Sequence, residues 1–89
     1  MKAFKLSGDE NRIYFQNLDR IPAEEELAAV LKELKAAGYQ VSKPQEKGLY
    51  DIYTCKKGDE QFEVVFTGEE AVIYSDKPKI IEGLMKIFE

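Results

Sequence analysis

The chain has no histidine and a single cysteine, Cys55. No intramolecular disulfide can form, and the usual zinc ligand sets cannot be assembled. A chain of 89 residues without such staples is too short for two cores, so residues 1–89 are read as one domain resting on its own apolar core. The missing histidine also removes the usual general base. Serine occurs only at positions 7, 42 and 75, none within a G-x-S-x-G elbow, so nucleophilic catalysis lacks its ingredients. Glycine loops of the G-x-G-x-x-G or Walker type are absent, and with them the phosphate cradles they build. No stretch approaches the roughly 18 apolar residues of a membrane helix, and the start, "MKAFKLSGDENR", lacks the apolar run of a signal peptide. The expectation is a cytoplasmic protein with no cofactor and no membrane partner.

Basic residues are missing from one long stretch. Residues 58–76 carry Asp59, Glu60, Glu63, Glu69, Glu70 and Asp76 with no Lys or Arg, within a net charge of −4. Such a block repels phosphate and argues against nucleic-acid binding through this region. Lys43, Lys47, Lys56 and Lys57 lie near Tyr50 and Tyr53, the ingredients of a single-strand platform, but the acidic neighbours oppose it.

What is present is the composition of a folded domain, 44% hydrophobic and 34% charged. "KAFKL" and "RIYFQ" flank the turn-rich "SGDEN", which predicts a first hairpin. In "RIPAEEELAAVLKELKAAGY", Pro22 suits the first helical position and Glu24, Glu25 and Glu26 suit the positive first turn. Leu27, Val30, Leu31, Leu34 and Ala37 then recur at helical spacing, and Gly38 ends the helix. Glycines at 38, 48, 58 and 68 punctuate four short β-rich runs, 39–42, 49–55, 60–66 and 71–74, joined by connections too short for anything but antiparallel pairing. "DKPKIIEGLMKIFE" predicts a C-terminal helix with Asp76 as N-cap, whose apolar residues spread over an arc of about 160°. The predicted fold is α+β: an antiparallel sheet of about five or six strands in the order ββαββββα, with one long helix and a C-terminal helix.

The hairpin after Tyr50 admits two registers. A three-residue Lys56-Lys57-Gly58 loop puts Tyr50 and Ile52 beside Val64 and Phe62 in the core and turns Asp51, Tyr53 and Cys55 outward. A two-residue Gly58-Asp59 turn buries Tyr53 with Asp51 beside it, and an unpaired buried carboxylate is costly. The three-residue loop is therefore expected. In every register the second face of the sheet keeps Val65 among apolar side chains. The broad arc of the C-terminal helix suits covering that face, one helix on each side. With both helices on the front, Tyr53, Val65, Val72 and Tyr74 would be left for a partner or for a homodimer.

The function expected from these features is a small non-catalytic module that binds a protein, or a second copy of itself. It would use the back of the sheet or the acidic hairpin tips carrying Glu63, Glu69 and Glu70. An alternative is a small carboxylate-based enzyme or divalent-ion domain, since the expected register sets Asp51 opposite Glu63, although no metal motif of recognised spacing is present. Another is an acidic mimic of nucleic acid. Cys55, beside Lys56 and Lys57, is a candidate reactive thiol, but a lone strand cysteine more often fills apolar space.

Overall fold

A computed structural model describes residues 2–17 and 19–89. Its elements run β1 (Lys2–Phe4), β2 (Arg12–Gln16), α1 (Ala23–Ala36), β3 (Gln40–Val41), β4 (Gln45–Glu46), β5 (Asp51–Lys57), β6 (Glu60–Phe66), β7 (Ala71–Tyr74) and α2 (Pro78–Met85). This is the expected α+β order with one addition, the two-residue β4. The strands form one seven-stranded antiparallel sheet in the spatial order β1-β2-β7-β6-β5-β3, with β4 also pairing with β5. The N-terminal hairpin joins the meander through β2 against β7, a pairing between segments some sixty residues apart that closes the sheet. No helix among the described residues is long and apolar enough to cross a membrane.

The helix ends follow from their residues, with two shifts. Pro22 sits one position before α1 rather than at its first residue, where its carbonyl accepts the N–H groups of Glu25 and Glu26. At the other end Gly38, at φ +98°, lets its own N–H reach the Lys35 carbonyl and the Tyr39 N–H reach Leu34, so two carbonyls at the end of α1 are satisfied. Asp76 does not cap α2. The residue before that helix is Lys77, whose N–H is taken by the Ser75 hydroxyl.

The β5–β6 hairpin adopts the register that the sequence argued against. Lys57 pairs with Glu60, Cys55 with Phe62 and Tyr53 with Val64, around a two-residue Gly58-Asp59 turn. Gly58 takes φ +58° and Asp59 a negative φ, the pattern of a hairpin turn with glycine at its first central position. Tyr53 and Cys55 therefore face the core, and Ile52 faces away from it. The expected objection fails because of where Asp51 lands. It lies at the end of β5 opposite Phe66 and remains half-exposed, so its charge is not stripped of water.

Both helices pack on the same face. Leu27, Val30 and Leu34 of α1 and Ile81 and Leu84 of α2 share one core with Ile13, Phe15, Cys55, Phe62, Val64, Ala71 and Ile73. The expected helix on each side is thus corrected: α2 lies over β2, with Phe88 set edge-on against Phe15 at 5.0 Å between ring centres. The wide apolar arc of α2 has another cause. Ile81 and Leu84 meet the shared core, and the residues just beyond the helix, Ile87 and Phe88, line a shallow depression with Ala29 and Glu33 of α1. Apolar residues are thus used both toward the sheet and where the chain past α2 nears α1.

Candidate interaction surface

With both helices on the front, strand alternation decides what the back presents. Phe4 pairs with Tyr14, Val72 with Val65, and Val65 with Ile52. Continuing the β2–β7 register from Ile13 and Ile73 by one residue sets Tyr14 beside Val72. The result is an unbroken apolar row, Phe4, Tyr14, Val72, Val65 and Ile52, crossing five strands, about 19 Å at the usual strand spacing. None of the five belongs to the core cluster or packs against it. Val72, at its centre, is 8% exposed between its row neighbours, Tyr14, Val65 and Ile52 are partly exposed, and Phe4 at one end is 37% exposed.

Polar rows flank this one. On one side run Arg12, Tyr74, Glu63 and Thr54, in pairwise register. On the other lie Gln16, Glu70, Thr67 and Tyr50, with Thr67 and Glu70 closing the β6–β7 turn and Tyr50 42% exposed. A depression of about 410 Å³ spans the patch from Arg12 and Tyr14 to Tyr50. The Arg12 end is held in place. Its guanidinium donates to Asp9 at 3.2 Å and stands 5.0 Å above the Tyr74 ring, while the Tyr14 hydroxyl donates to the same carboxylate at 3.4 Å. Asp9 also accepts the Asn11 backbone N–H, and this bond, with help from Arg12 and Tyr14, lowers its pKa.

Of the residues singled out from the sequence, Val65, Val72 and Tyr74 come together on this face, and Glu63 stands in its flank. Tyr53 does not join them. The register turns it to the core side, where burial, and secondarily Asp51, raise its pKa. Asp51 and Glu63 are separated as well: Asp51 pairs with Phe66 and Glu63 with Thr54, so the two carboxylates project from opposite faces. Among the described residues no three His, Cys, Asp or Glu side chains gather closely enough to hold a metal ion. Glu69 and Glu70 lie at the β6–β7 turn, whereas Asp59 and Glu60 lie at the β5–β6 turn at the other end of the sheet. The acidic stretch is therefore split between two ends. Cys55 is fully buried, and burial pushes its thiol up to about 11, the reverse of activation.

Phe4, Arg12, Tyr14 and Ile52 were missed. The parity of "RIYFQ" separates Tyr14 from Ile13 and Phe15, but only the long-range β2–β7 pairing carries it onto the apolar row of the back face. Ile52 and Tyr50 were assigned inward with the wrong turn, and Tyr50 is 42% exposed instead. No protein-family model matches the chain, and no curated protein or solved structure matches it either.

Proposed function

We propose that the chain is a non-catalytic interaction module whose uncovered sheet face receives a polypeptide partner. The observation that supports this reading is the apolar row from Phe4 to Ile52, backed by a complete core on the other side, so that no element of the described chain covers it. A contiguous apolar surface with a polar rim is the anatomy of a recognition site, since water against it is released on contact. Aromatic residues and an arginine, here Tyr14, Tyr74, Tyr50 and Arg12, are the side chains that most often anchor such contacts. The setting we assign is the cytoplasm, where a free thiol such as Cys55 persists unpaired.

Site-specific photo-crosslinking in cells tests the reading. A benzophenone side chain at position 52 is expected to yield a discrete polypeptide adduct, and one at the exposed Lys32 of α1 none. Equal yields at the two positions would reject the sheet face as an interaction surface.

A further inference from the structure

We propose that the occupant of this face is a second copy of the chain, stacked row on row about a two-fold axis; this rests on the reading of the face as an interaction surface. Charge selects the partner. The chain carries a net −4, yet its back face mixes Arg12 with Glu63 and Glu70 instead of presenting one sign. A nucleic acid or a strongly basic peptide would be drawn by a single-sign field, which this face lacks. A surface that meets itself must instead avoid placing like charges together. An axis lying along the apolar row sets each flank against the opposite flank of the other copy: Tyr74 over Glu70, Glu63 over Thr67, Arg12 over Gln16. No like charges meet, and the Tyr74 hydroxyl gains an acceptor. Asp59 and Glu60 at the β5–β6 turn, Glu69 at the tip of the β6–β7 turn and the exposed acids of α1 stay outside the contact.

Area is consistent with the same occupant. Five strands at about 4.8 Å and three rows at about 6.8 Å define a patch of about 24 by 20 Å, and two such patches bury on the order of 1,000 Å². That is the lower limit for a specific interface and below the size of most stable ones, so a weak dimer, dissociating in the micromolar range, is expected. The product is a four-layer assembly, helices outside and two sheets about 10 Å apart inside.

Sedimentation equilibrium of the purified chain at about 200 μM, well above that range, is the experiment. The expected mass is that of two 10.2 kDa chains. Val65→Asp and Ile52→Asp, each with an unchanged far-UV spectrum, are expected to weaken association about 100-fold or more, and Lys32→Glu to leave it unaltered. A wild-type chain that stays single, or a dimer indifferent to both aspartates, overturns the proposal. A single chain whose position-52 crosslinker still captures another polypeptide rejects the second copy alone. A single chain without that adduct rejects the interaction module too.

Discussion

Glu26 shows how far a residue's role depends on where the fold takes it. In sequence it is the third of three glutamates suited to a helix N-terminus. In the fold it is only 3% exposed, and its carboxylate accepts the Ala71 N–H at 3.3 Å and the Asn17 amide at 3.1 Å, tying α1 to β7 and to the loop before it. Asn17 in turn bonds both backbone groups of Ile21. Glu26→Ala strands these donors in the interior and is expected to lower stability by about 2 kcal/mol or more in urea unfolding, while Glu24→Ala, exposed, changes it little. Tyr39 predicts a pH effect. Burial, then its 2.7 Å bond to Glu60, raises its pKa from 10.0 to about 12. The folded state thus holds a proton that the unfolded chain gives up first. Its contribution is complete below pH 10 and disappears as pH rises toward 12. Cys55 acts with the same sign between about pH 9 and 11. Thermal melts from pH 8 to 12 should fall less steeply for Tyr39→Phe than for wild type. In the folded protein Cys55 should also resist thiol reagents at pH 8 until denaturant exposes it.

At the scale of elements, helices were more legible than pairings. The period of Leu27, Val30, Leu31 and Leu34, and the glycine after Ala37, are local signals, and α1 follows them to within a residue or two. The β5–β6 register was not legible because the burial of Asp51 depends on where β5 ends, which the turn residues do not reveal. Burial of Asp51 would oppose the Gly58-Asp59 turn, but strand length places that carboxylate beyond the core. Glycine also takes the first position between Lys47 and Tyr50 and between Thr67 and Glu70, pairs closed by backbone bonds of 2.9 and 3.0 Å. Three turns of one pattern were the better guide. Apart from its two chain neighbours, no residue comes within 4 Å of a Cβ placed on Gly58, so Gly58→Ala carries only the penalty of its positive φ. A loss of about 1 kcal/mol is expected, read as a lower urea midpoint with an unchanged slope.

For the whole molecule, the sequence announced a sheet apolar on both faces but not which face would be covered. The arc of α2 was read as coverage for the back, and the fold packs it on the front over β2 instead. That choice is made by β2, which brings Phe15 to meet Phe88, and a pairing between such distant segments leaves no local trace. Neighbouring residues of one strand now separate the two faces. Val64 is fully buried beneath the helices, and Val65 belongs to the row they leave open. Thermal unfolding of Val64→Asp and Val65→Asp, side by side at low protein concentration, is the most direct measurement. A carboxylate at 64 is expected to cost several kcal/mol, enough to abolish a cooperative transition in a domain whose total is about 5–15 kcal/mol. A carboxylate at 65 is expected to leave a folded chain that melts cooperatively. Collapse of both variants alike would contradict the open face and everything built on it.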